Sequence, residues 1–147
     1  MFKSILVAID LADMDVARPA LETAVELAEA SRGKIRVISV RSLMPVTYME
    51  YVPADFDMTA KADAEREMGG VVAQIGLPAD RVDAVVRLGS IYGEILEEAA
   101  SWGADLIVVG SHRPSMATYL IGSNAKTIVR HAPCSVLVIR EKAPPKA

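Results

Sequence analysis

Asp10, Gly110, His112, Arg113 and the run Gly122-Ser123-Asn124 have the types and spacing to meet a charged ligand. Asp10 closes the apolar run Ile5-Leu6-Val7-Ala8-Ile9. Gly110 closes a second such run, and polar residues from Ser111 onward separate it from Gly122. A plain connection takes only about 4–6 residues, so this longer one has room to hold something. Gly110 has no Cβ and lets backbone approach a ligand closely. Gly122-Ser123-Asn124 stands ahead of a predicted helix, 125–131, whose unpaired N–H groups and positive dipole end form an anion site. Ser123 or Asn124 can cap that helix or donate to phosphate oxygens, and Arg113 and Lys126 bring positive charge. The arrangement suggests a phosphate cradle. A plainer account fits the same residues: Gly110 makes a tight exit turn and Ser123 is an N-cap. Spacing alone leaves both open.

Other polar residues carry similar pairs of readings. Asp10 is read as a contact to ribose or magnesium, against a cap on the following turn. Asp13 and Asp15 could join it around a magnesium ion, but they also suit the N-terminus of a first helix, where negative charge is favourable. Ser111 and His112 invite a nucleophile–base reading. Adjacent residues in extended chain point opposite ways and no third orienting residue is evident, so no catalytic residue is assigned. His131 suits a helix C-terminus, and Cys134 reads as a small inert hydrophobe opening a strand. Tyr48, Met49 and Tyr51 are read either as a lid over the ligand or as an exposed or partner-facing loop.

The elements that must position these groups follow from apolar periodicity. Strands are predicted over 3–9, 34–40, 81–87, 105–109 and 135–139, each a nearly continuous apolar run of the kind buried on both faces. A first helix has Val16, Ala20, Ala24, Leu27 and Ala28 on one face and Gly33 as its C′ residue. A second spans 60–75, with Gly69-Gly70 predicted to weaken or bend its second half. A third is capped by Ser90, presents Ile91, Ile95, Leu96, Ala99 and Trp102, and stops at Gly103. Residues 42–57 read as irregular. Strands alternating with helices make βαβ units and a parallel sheet covered on both faces. Ligands of such sheets bind beyond the carboxyl ends of the strands, where strand order reverses. In the order 3-2-1-4-5, Asp10 and Gly110 flank that point.

Composition narrows the function. A chain of 147 residues, over half of them apolar, suits one ordinary domain. Its net charge of -3 gives no case for nucleic acid. No apolar run approaches the roughly 20 residues of a membrane span, and the N-terminal run is too short, and too soon ended by acid, for a signal peptide. The single cysteine excludes an internal disulfide framework and a cysteine-based metal cluster. A cytoplasmic domain over 1–141 is expected, with a polar, proline-rich tail at 142–147 that does not order.

Ile5-Leu-Val-Ala-Ile-Asp10, Gly103-Ala-Asp-Leu-Ile-Val-Val-Gly-Ser-His112, Gly122-Ser-Asn-Ala125 and Ile128-Val-Arg-His-Ala-Pro-Cys-Ser-Val-Leu-Val138 together resemble the universal stress proteins, over nearly the whole chain. The resemblance implies an open five-stranded parallel α/β sheet of order 3-2-1-4-5 with helices on both faces, the Rossmann-like adenine-nucleotide-binding fold. It implies ATP, with Mg2+ as an optional companion, at the switch point. Asp10 would meet the adenine or ribose side and Val40 would offer backbone groups to the adenine. Gly110 would pass beneath the ribose and α-phosphate, His112 and Arg113 would line the loop, and Gly122, Ser123 and Asn124 would hold the phosphates. ATP-binding members carry Gly-x-x-Gly, nine residues, then Gly-Ser or Gly-Thr. Here Arg113 replaces the second glycine, 114–121 is one residue short, and Ala8 stands where many binders have proline. Ser-His-Arg-Pro before Thr-Tyr-Leu-Ile-Gly-Ser-Asn-Ala resembles the F/G-type bacterial branch, in which ATP binding also occurs. The resemblance further implies a homodimer paired through the strand at 135–140. The expected role is a nucleotide-linked stress-response regulator. The alternatives are a dimeric interaction module with a non-functional pocket and a slow ATP hydrolase.

Overall fold

The computed structural model describes residues 1–42, 54–111 and 119–140, with backbone alone for 119–123. Five strands, β1 (Ser4–Ala8), β2 (Lys34–Arg41), β3 (Val82–Leu88), β4 (Leu106–Ser111) and β5 (Ser135–Arg140), form one sheet of order β3-β2-β1-β4-β5. Every pairing is parallel. Between the strands run α1 (Met14–Ser31), α2 (Phe56–Ala73), α3 (Ile91–Trp102) and α4 (Tyr119–His131). The fold is the one the sequence predicts, and alternation along the strands explains it. Ile5, Val7, Ile35, Val37 and Val108 face α1 and α2, whereas Leu6, Ile38, Ile107 and Val109 face α3 and α4. β1, central and paired on both edges, buries Ile5, Leu6 and Val7 completely.

Asp105 sets the register at the amino ends. Its two carboxylate oxygens accept the backbone N–H groups of Lys3 (2.8 Å) and Ser4 (3.0 Å). Its own N–H donates to the Ser4 carbonyl at 2.9 Å. This stitches β1 to the start of β4 before the ladder between them begins.

Several element ends differ from the sequence reading. Gly33 does not take the left-handed position after α1; Arg32 does, with φ 59°. Gly33 is required for a different reason: a Cβ there would lie 2.7 Å from the Phe2 carbonyl oxygen and 3.0 Å from the Lys3 Cα. α2 begins four residues earlier than predicted and runs unbroken through Gly69-Gly70. α4 begins at Tyr119 rather than Ala125. Gly122-Ser123-Asn124 therefore lies inside the helix and not ahead of it, and the N–H groups without helical partners belong to the turn that starts at Tyr119. Ser90 and Gly103 behave as predicted. Ser90 Oγ accepts the Gly93 N–H at 3.1 Å, and Gly103 ends α3 with φ 81°. Among the described residues no helix is long and apolar enough to cross a membrane.

Candidate functional site

A crevice of about 130 Å³ opens at the carboxyl ends of β1 and β4, where the chain leaves the sheet in opposite directions. Ile38 and Val40 of β2 and Ile91 and Ile95 of α3 give it apolar walls. Polar groups gather at Asp10, Asp13 and Asn124, and Gly110 contributes backbone. A crevice lined mostly by apolar side chains with a few polar groups suits a ligand that is part ring and part hydrophilic.

Of the residues singled out from the sequence, Asp10, Asp13, Val40, Gly110 and Asn124 meet around this crevice. Asp10 also makes the local contact that was its plainer reading: its Oδ1 accepts the Ala12 N–H at 2.9 Å. One carboxylate oxygen shapes the turn that follows β1, and the group stays exposed. Gly110 is neither an exit turn nor a residue of positive φ. It lies within β4, opposite Ile139 of β5. A Cβ there would stand 2.8 Å from Val16 Cγ1 and 2.9 Å from the Val16 carbonyl oxygen, so its small size lets the first turn of α1 lie across the end of β4. Gly122 and Ser123 belong to the α4 backbone described above. His112, Arg113, the Tyr48–Tyr51 stretch and the tail at 142–147 lie outside the described residues. Asp13 is the N-cap residue of α1 and Asp15 lies in its first turn, as the dipole reading expects. Among the described residues no group of three His, Cys, Asp or Glu is placed to hold a metal ion.

Sequence reasoning missed a charge network on the sheet face that carries Ile38 and Val40. Arg36 of β2 forms a two-pronged pair with Asp83 of β3, at 2.9 and 2.8 Å. Its Nη1 also meets Glu98 Oε2 at 3.0 Å. Arg87 of β3 meets the other oxygen, Glu98 Oε1, at 2.9 Å. Glu98 is 7% exposed, a depth a carboxylate reaches only when paired. Both guanidinium pKa values are raised: that of Arg36 by hydrogen bonding to Asp83 and then Glu98, that of Arg87 by hydrogen bonding to Glu98 and then Glu94. The signal was present in the alternation. Arg36, Ile38 and Val40 share one sheet face, as do Asp83, Val85 and Arg87, so the charges lie in line with the apolar wall. Cys134, half-buried at the entry to β5, has its thiol pKa pushed up by burial and then by Asp105.

A sequence model described as the Universal stress protein family matches residues 1–140. Universal stress protein G of Shigella flexneri is 33% identical over 143 residues, spanning 95% of this chain and 100% of its own. The structure of the universal stress protein UspA from Lactobacillus plantarum superposes with a TM-score of 0.77 at 25% identity, over 95% of this chain and 98% of that one. The universal stress protein from Archaeoglobus fulgidus in complex with dAMP superposes with a TM-score of 0.66 at 22% identity, over 94% of this chain and 98% of that one.

Proposed function

Because the chain belongs to the universal stress protein family, we propose that the crevice between β1 and β4 binds an adenine nucleotide, ATP in the first place. The observation that carries this reading is the convergence of Asp10, Val40, Gly110 and Asn124 on one crevice at the switch point. The apolar walls suit the two faces of an adenine ring, and the backbone of Val40 suits its polar edge. The exposed carboxylate oxygen of Asp10 is free in geometry to accept from a ribose hydroxyl while the other holds its turn. The phosphates would then run toward α4, where Gly122, Ser123 and Asn124 lie, with His112 and Arg113 of the preceding loop beside them. The dAMP held by the Archaeoglobus relative supports the ligand class. The protein would work as a cytoplasmic, nucleotide-linked stress regulator, and as a dimer through β5.

The test is nucleotide content. Acid extraction of the purified protein, followed by ion-exchange chromatography of the supernatant, is expected to release ATP or ADP. Calorimetry with added ATP covers the case in which purification strips the ligand. Absence of binding in both would leave the interaction-module reading, and phosphate release over hours separates holding ATP from hydrolysing it. Gly122→Val places a branched side chain beside the phosphate path. Unchanged ATP affinity in that folded variant would remove Gly122 from the site.

A further inference from the structure

Arg87 stands at the carboxyl end of β3, in register with Val40 of β2. Its guanidinium nitrogens each meet a different glutamate of α3: Nε with Glu94 at 3.3 Å, Nη2 with Glu97 at 3.1 Å and Nη1 with Glu98 at 2.9 Å. Glu98 is gripped from its other side by Arg36, so α3 is tied to β2 and β3 together. The same helix carries Ile91 and Ile95, each three residues ahead of a partner of Arg87 and both lining the crevice. The turn from β3 into α3 admits this grip. Gly89 takes φ 142°, and a Cβ there would lie 3.0 Å from Glu94 Cγ, against the side chain that reaches back to Arg87.

We propose that Arg87 is a positioning residue of the crevice: by holding Glu94, Glu97 and Glu98 it fixes α3 so that Ile91 and Ile95 form the wall beside Val40. Arg87 does not touch the ligand. Each of its guanidinium nitrogens is committed to α3, and a rigid fork of this kind transmits position better than a single point charge. Removing it loosens α3 and the crevice wall together and leaves the β1–β4 side in place. Only the ligand measurement below depends on the nucleotide reading.

Hydrogen exchange of the ligand-free protein tests this, together with adenosine titration of wild type, Arg87→Met and Arg87→Lys. Arg87→Met is expected to speed exchange of the 94–98 amides about ten-fold or more while β1 and β4 keep their protection. It should weaken adenosine by about ten-fold, and Arg87→Lys should recover part of both losses. Wild-type exchange in α3 of a folded Arg87→Met protein overturns the proposal. So does an even loss of protection across all elements, which would mark a merely structural residue. Loosened α3 with unchanged adenosine affinity overturns it as well. If Arg87→Met does not fold, the double change Glu94→Ala with Glu97→Ala replaces it, because it removes two of the three contacts and leaves Glu98 paired, and it is read in the same way. If the wild type takes no adenosine, the nucleotide reading fails and the exchange data alone decide for or against Arg87.

Discussion

Gly110 illustrates how one residue type can serve two needs. Read in the sequence, it leaves room for a ligand; in the fold, the nearest claim on that room comes from Val16. Gly110→Ala is therefore expected to cost about 1–3 kcal/mol of stability with no ligand present, since a backbone carbonyl must move to admit the methyl. Urea unfolding of the ligand-free variant measures it, and an unchanged midpoint would return Gly110 to a ligand-only role. Pattern reading placed Gly110 correctly at the switch point. It missed Val16, because a contact between two elements distant in sequence has no local signature. Cys134 carries a second expectation. Its folded pKa is raised above the ordinary 9.0, so the folded state keeps its proton where the unfolded chain has lost it. The sign follows: the contribution is whole below about pH 9 and is lost as pH rises through the folded value. Urea midpoints of wild type and Cys134→Ala should draw together as pH rises above 9.0. A constant difference would mean that the thiol does not titrate differently in the fold.

Among the elements, strands were the most legible and helix starts the least. A strand buried on both faces announces itself as an apolar run, and all five were found to within two residues at either end. The sequence pattern starts α4 too late because Gly122-Ser123 looks like a cap, whereas both residues lie inside the helix. α2 was placed without its first turn because Asp55-Phe56-Asp57-Met58 carries no apolar spacing; Phe56 and Met58 are exposed. Its glycine pair was expected to weaken it, yet the helix is continuous and both glycines face open space, with nothing within 4 Å of a built Cβ. Gly69→Ala and Gly70→Ala should each stabilise the protein by about 0.5–1 kcal/mol, through backbone entropy alone. Thermal melts check this, and a loss of stability in either variant would reveal a conformational need for glycine at that position.

For the whole molecule, the edge at β5, which no further strand pairs among the described residues, is the feature that bears on assembly. Val136, Leu137, Val138 and Ile139 are all only half-buried on the outermost strand. An apolar edge of this kind invites pairing. Two chains related by a two-fold axis can pair these edges antiparallel and satisfy both ladders. Successive N–H groups along a strand point to opposite edges. Of Leu137→Pro and Val138→Pro, one therefore removes an outward donor and the other breaks the ladder to β4. The wild type is expected to be a dimer by light scattering at micromolar concentration, and the proline variant that still folds is expected to be monomeric. A monomeric wild type, or a folded proline variant that remains dimeric, would remove β5 from the interface. The stitch at Asp105 bears on how the chain is made. The Lys3 N–H and the Asp105 carboxylate that accepts it are 102 positions apart, and β1 reaches one of its two neighbours only through that distance. A parallel sheet built from such remote pairings forms slowly. On the ribosome, β1 is made before β4, and the 102 positions between Lys3 and Asp105 delay its second neighbour. At about 5–20 residues per second, that is an interval of roughly 5–20 seconds. During it, β1 carries an unpaired apolar edge that a chaperone could hold or another nascent chain could capture.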